Sequence, residues 1–282
     1  MKLNELFNKL SAEIGKVSEN SFFEAKELLK HICGYSETEF LLNRSSEVKE
    51  SLLDEISESV RKRLDGMPLQ YIIGEWGFMG NTFTVGEGVL IPRPETEILC
   101  QLVIDSASEL NNPVVFDLCS GSGCIALSIK NALPASEVYA VEKSREAFRY
   151  LEINAERLCS DNPVKIINGD IFDTEYYKNL PHADIIVSNP PYINSDEIAI
   201  LQKEVLREPR MALDGGADGL LFYRFIISEW KKHLKKDGMF AFECGENQAR
   251  DISLILVENG FDTFIMKDYN DIERIVIGRR QK

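Results

Sequence analysis

Several things are scarce in this chain, and each scarcity removes a class of function. The 282 residues hold three histidines, at 31, 182 and 233. The six cysteines (33, 100, 119, 124, 159 and 244) include no Cys-x-x-Cys pair. Zinc and dithiol sites need such pairing. The expectation is therefore no bound metal, and free, buried thiols in a reducing compartment. No apolar run reaches the roughly 18 residues that a membrane span requires. The start, Met1-Lys2-Leu3-Asn4-Glu5, lacks the apolar core of a signal peptide, which gives a cytoplasmic expectation. Basic residues are outnumbered, 32 Lys and Arg against 46 Asp and Glu, for a formal net charge of −14. A protein that grips a phosphate backbone needs a basic groove to release counterions. The acidic balance argues against direct nucleic-acid binding and for a protein or small-molecule partner.

What is present is a globular composition, 44% hydrophobic and 28% charged, in a chain long enough for a large domain and a small one. Residues 1–75 read as a helical bundle. Leu3, Leu6, Phe7, Leu10 and Ile14 recur at helical spacing. Ser21-x-x-Glu24 and Ser36-x-x-Glu39 have the form of capping boxes. A longer helix follows, with Leu52, Leu53, Ile56, Val60 and Leu64 expected inward and Arg61-Lys62-Arg63 on a solvated end before the cap Gly66. Nothing in this bundle is catalytic, so its expected work is substrate docking. Residues 76–98 read as a β-hairpin turning at Gly80-Asn81, then a rigid linker, Ile91-Pro92-Arg93-Pro94-Glu95-Thr96-Glu97, that is placed to wall a pocket.

Residues 99–282 alternate strands and helices as a doubly wound sheet does. Strand Val114–Leu118 runs into Cys119-Ser120-Gly121-Ser122-Gly123 and a helix. Glycines there let a ligand approach the backbone, and the helix start offers free N–H groups. About twenty residues on, the next strand ends in Glu142, an acid suited to a ribose diol. The strand Asp184–Ser188 stops at Asn189-Pro190-Pro191-Tyr192, because proline has no N–H for the ladder. Its end presents an amide, a free backbone carbonyl and an aromatic ring where ligands of such sheets bind. A helix is expected through Leu220 to Leu234 and a strand at 239–243. A final hairpin, 261–267 and 273–277, differs from a dehydrogenase sheet and suits a methyltransferase.

These landmarks, with Pro68-Leu69-Gln70-Tyr71-Ile72, Glu208-Pro209, Asp218-Gly219-Leu220 and Gly278-Arg279, extend over essentially the whole chain. Together they resemble the protein-(glutamine-N5) methyltransferases that modify peptide chain release factors, the HemK or PrmC family. The Asn-Pro-Pro-Tyr run alone is shared with many amino-group methyltransferases; joined to the proline-rich linker and the helical domain it is more specific. The resemblance implies a class I S-adenosylmethionine-dependent methyltransferase, Rossmann-like, with a seven-stranded mixed sheet. It implies S-adenosylmethionine as donor, S-adenosylhomocysteine as product, and the glutamine of a GGQ loop as acceptor. Cys119, Ser120, Gly121, Ser122 and Gly123 match the cofactor loop, Glu142 the ribose acid and Ile171 the adenine neighbour, while Asn189 touches both cofactor and substrate. Cys119 stands where relatives have glycine, a strain of ~1–3 kcal/mol if the dihedrals are those of glycine. Glu142 replaces the more usual aspartate.

An amide nitrogen is a weak nucleophile with two hydrogens. The Asn189 side-chain carbonyl and the Pro190 backbone carbonyl are expected to hold it, with Pro191 stiffening the turn and Tyr192 stacking on the flat amide. Catalysis is thus assigned to Asn189, Pro190 and Tyr192, and substrate binding to these with Pro191. Proton loss follows transfer, so no catalytic histidine is expected, and a monomer suffices. The residues alone leave open a ribosomal-protein glutamine, an exocyclic amine of a nucleic-acid base, or donor binding without catalysis.

Overall fold

The computed structural model describes residues 1–281. The chain divides into two units, residues 1–75 with 202–207, and residues 76–201 with 208–282.

The first unit is built from α1 (Leu3–Ile14), α2 (Ser21–Cys33), α3 (Glu37–Leu42), α4 (Leu53–Leu64) and α5 (Leu69–Ile73). Leu3, Leu6, Leu10, Ile14, Leu28, Leu29 and Ile56 form its buried face. The Ser36 box closes, since Glu39 N–H donates to Ser36 Oγ at 3.2 Å and Ser36 N–H donates to Glu39 Oε2 at 2.8 Å. The box at Ser21 does not form. Asn20 occupies the N-cap, and Glu24 instead accepts from Ser18 and from Arg63. That pairing corrects the reading of α4's end as well. Arg61 and Lys62 are exposed, but Arg63 is buried between Glu24 and Glu204, and Leu64 is the residue turned outward. Gly66, at φ +87°, takes the left-handed position after the helix. Glu204 comes from the 202–207 segment, whose Arg207 also donates to Asp65.

In the second unit a hairpin, β1 (Glu75–Phe78) and β2 (Asn81–Thr84), precedes α6 (Pro94–Ser108). There follow β3 (Val114–Leu118), α7 (Cys124–Ala132), β4 (Glu137–Glu142), α8 (Arg145–Cys159), β5 (Lys165–Asn168) and β6 (Ala183–Ser188). After β6 come α9 (Arg210–Leu213), α10 (Leu221–Phe225), β7 (Leu234–Glu243), α11 (Ala249–Glu258), β8 (Phe261–Lys267) and β9 (Glu273–Arg280). The seven-stranded sheet has the order β5-β4-β3-β6-β7-β9-β8. Strands β3 to β7 are parallel, and β9 is antiparallel to both β7 and β8. Alternate side chains feed two cores, as parallel strands buried on both faces require. Val115, Ile185 and Ala241 enter one; Phe116, Ile186 and Phe240 enter the other.

The helix predicted through Leu234 is shorter and irregular. After α10 the backbone widens into a π turn at Ile226–Trp230 and tightens to 3-10 at Lys231–His233. Trp230 is buried and donates its indole N–H to the Ile171 carbonyl at 3.1 Å, a tertiary anchor that holds the irregular turn in place. Strand β7 starts five residues earlier than predicted and bulges, Leu234 pairing with Ala183 and Met239 with Ile185.

Candidate active site

The carboxyl-terminal ends of β5, β4, β3 and β6 meet along one side of the sheet, where β3 is flanked by β4 and by β6. A crevice at such a switch in strand order is a ligand position. It forms an open cleft here, whose walls include the turn after β3, Glu142, Ile171, Asn189 and residues 90–93 of the proline-rich linker.

The turn after β3 is shaped by three left-handed residues, Cys119 (φ +63°), Gly121 (+55°) and Gly123 (+82°). A side chain in that region costs about 1–2 kcal/mol, so the backbone at Cys119 is strained. Gly123 has no such latitude, because a Cβ there would overlap the Leu151 side chain. Backbone anchors fix the turn: Ser120 N–H donates to Val141 O at 3.0 Å, and Ser120 Oγ–H to Asp117 O at 2.8 Å. The Ala126 N–H donates to Asp117 Oδ2 at 3.1 Å. Burial raises the Asp117 carboxyl to about 7.

Glu142, ending β4, accepts from Gly121 N–H at 2.8 Å with one oxygen and from Ser144 N–H at 2.7 Å with the other. Each oxygen keeps a second lone pair, and the residue lines the cleft. Burial raises its pKa while these backbone donors oppose the rise. Ile171 is 4% exposed and forms part of the wall, beside two aromatic rings. Phe172 and Phe222 lie 5.4 Å apart, edge to face, and both line the cleft. The signal for Phe172 was its place directly after Ile171; Phe222 follows Asp218-Gly219-Leu220 but carries no local mark.

Asn189 follows β6, and its Nδ2 donates to Thr96 Oγ1 at 3.3 Å. Thr96 Oγ1–H in turn donates to Glu243 Oε2 at 2.6 Å. Burial raises the Glu243 carboxyl to about 7 against the opposing pull of Thr96, Arg274 and Asn189. Pro191 lines the cleft, whereas Pro190 and Tyr192 do not. The Tyr192 ring packs against the second core, near Gly245 and among Glu243, Cys244, Arg93 and Arg274. Its backbone carbonyl accepts from Gln248 Nε2 at 2.8 Å. At the mouth, the Arg93 guanidinium pairs with Glu208, which also accepts from Ile91 N–H at 3.1 Å. The linker thus walls the cleft. None of the three histidines lines it.

A mixed seven-stranded sheet with a glycine-bearing turn, a strand-end acid and an Asn-Pro-Pro-Tyr turn on one edge is that of a class I methyltransferase. Residues 95–223 match the family model described as the methyltransferase small domain, and residues 5–74 match the PrmC N-terminal domain. A release factor glutamine methyltransferase of Thermodesulfovibrio yellowstonii is 37% identical over 100% of this chain and 98% of its own length. That of Clostridium acetobutylicum is 38% identical over 99% of each. The chain belongs to the release factor glutamine methyltransferase family. Among solved structures, the hMettl16 catalytic domain in complex with MAT2A 3'UTR hairpin 6 shares the fold, at TM-score 0.56 and 14% identity over 83% of each chain.

Proposed function

We propose that this protein transfers the methyl group of S-adenosylmethionine to the N5 side-chain nitrogen of the glutamine in the GGQ motif of a peptide chain release factor. Membership of the family supports the reaction and its target. The observation that carries it is Asn189: with its nitrogen committed to Thr96, its carbonyl is the end left for an incoming –NH₂.

The donor set of the cleft fits a nucleoside-bearing sulfonium. Glu142 offers carboxylate lone pairs for a ribose diol, the glycines of the turn Cys119–Gly123 let a ligand approach the backbone, and Ile171 with Phe172 and Phe222 offers an apolar, aromatic slot for a base. When bound, the cofactor supplies an electrophilic methyl on a cationic sulfur. The protein's part is orientation. Asn189 Oδ1 and the Pro190 carbonyl each accept one hydrogen of the glutamine amide, aim its nitrogen and favour the positive charge that develops there. Pro191 fixes the turn. Holding two reactants in line is worth ~7–11 kcal/mol in favourable cases. The proton leaves after transfer, so no strong base is needed. Tyr192, its ring against the second core and its carbonyl held by Gln248, braces the turn, and the helical unit, with Phe22, Phe23, Leu41 and Leu42 exposed, docks the protein partner. The proposed setting is a cytoplasmic monomer; among the described residues no helix is long and apolar enough to cross a membrane.

Asn189→Ala tests the reading. Turnover on purified release factor is expected to fall by about 10²–10³, the range for loss of one group that stabilises developing charge. Calorimetric affinity for S-adenosylmethionine should change far less. A variant with most of the wild-type turnover contradicts the hydrogen-bond mechanism.

A further inference from the structure

Glu243 ends β7 and is 2% exposed, and it does not line the cleft. A carboxyl buried there carries a desolvation cost that calls for a compensating role. Its strand neighbour is β6, so it lies next to the turn that carries Asn189, and Thr96 of α6 stands between them. A hydroxyl has one proton. An ionised carboxylate only accepts, so the Thr96 proton goes to Glu243, and Thr96 can then only accept from Asn189. Each bond direction in the row is set from the carboxylate outward. Asn189 must show –NH₂ to Thr96 and its carbonyl to the opposite side.

A neutral group at 243 removes the constraint. Thr96 can then accept from residue 243 and donate to Asn189 Oδ1, and the amide turns over. Asn189 would meet the substrate –NH₂ with its own –NH₂, donor against donor. We propose that Glu243, acting through Thr96, is the positioning residue that holds the Asn189 amide with its carbonyl toward the acceptor nitrogen. The assignment rests on the methyl-transfer reading given above.

The groups facing Glu243 decide when it is ionised. Thr96 of α6, Arg274 of β9 and the Asn189 amide, which also reaches the carboxyl directly, favour the charged form, Glu95 of α6 opposes it, and Tyr192, Tyr223, Cys124 and Cys244 stand around it as neutral partners. Burial leaves the carboxyl near 7, so kcat rises with pH through about 7 as the row becomes fixed.

The experiment compares full-length wild type with Thr96→Val, Thr96→Ser, Glu243→Gln and Asn189→Ala, using purified release factor and S-adenosylmethionine from pH 6 to 9 (a range about one to two units either side of neutrality, where bell-shaped limbs are read). Thr96→Val and Glu243→Gln are expected to lose roughly 10- to 100-fold in kcat, as small misplacements do, with calorimetric donor affinity retained. Thr96→Ser keeps the hydroxyl and should keep kcat. The rise through about 7 should vanish in Glu243→Gln. Wild-type kcat in Thr96→Val, equal losses in Thr96→Val and Thr96→Ser, or an unchanged pH profile in Glu243→Gln overturns the proposal while an inactive Asn189→Ala leaves the methyl-transfer reading standing. An active Asn189→Ala removes that reading and this proposal together. If Glu243→Gln does not fold, the two Thr96 variants decide the matter.

Discussion

Two carboxyls, Asp117 and Glu243, are buried near the ends of β3 and β7, the strands on either side of β6, and each is raised to about 7 by loss of solvent. For Asp117 the ordinary value is 3.8. Between about 4 and 7 the folded state therefore holds a proton that the unfolded chain releases. The stability from this proton is complete below about pH 4 and is lost as pH rises to about 7. Asp117→Asn keeps an acceptor for the Ala126 N–H but has nothing to titrate. Its melting temperature should gain on that of wild type as pH rises through this window, measured by thermal unfolding from acid to neutral. A constant difference would contradict the assignment. Single residues were legible where their signal is local. Glu142 was read because a strand end about twenty residues after a glycine turn has few other uses. Thr96 carries no local mark beyond its place in a rigid linker, because its partners Asn189 and Glu243 lie 93 and 147 residues along the chain.

At the scale of elements, the Asn-Pro-Pro-Tyr turn is held from behind by the loop that leads into α10. Gly219 has φ +70°, and a Cβ there would overlap the Tyr192 carbonyl oxygen and the Gln248 side chain. Gly219→Ala should cost at least ~1–2 kcal/mol from the left-handed backbone alone. It should also lower kcat, because the displaced backbone is that of the catalytic turn. Denaturant unfolding and steady-state kinetics check both; an alanine variant with native stability and kcat would show that this loop does not set the turn. The strand that ends at Ser188 was legible because two prolines stop any ladder. The π turn at Ile226–Trp230 and the bulge in β7 were not, because periodicity cannot register the pull of Trp230 on the Ile171 carbonyl. The Ser21 box failed for the same kind of reason. Its motif was intact, but Glu24 found a better partner in Arg63, 39 residues away.

For the whole molecule, the alternation of strands and helices and the terminal hairpin were enough to indicate the class of sheet, while its order, with β9 between β7 and β8, came only from the structure. The assignment of residues 202–207 to the helical unit was equally hidden, since Glu204 reaches Arg63 across 141 residues of sequence. The acidic balance of −14 tilted the acceptor toward protein before any family was considered. The central claim is that the –NH₂ met by Asn189 belongs to a glutamine and not to a base. The direct measurement is to incubate the protein with S-adenosylmethionine carrying a labelled methyl, together with purified release factor or with nucleic acid, and to locate the label by mass spectrometry. The account predicts a single methyl on the side-chain nitrogen of the GGQ glutamine and none on nucleic acid. Label on nucleic acid, or on the release factor only at another residue, would contradict it.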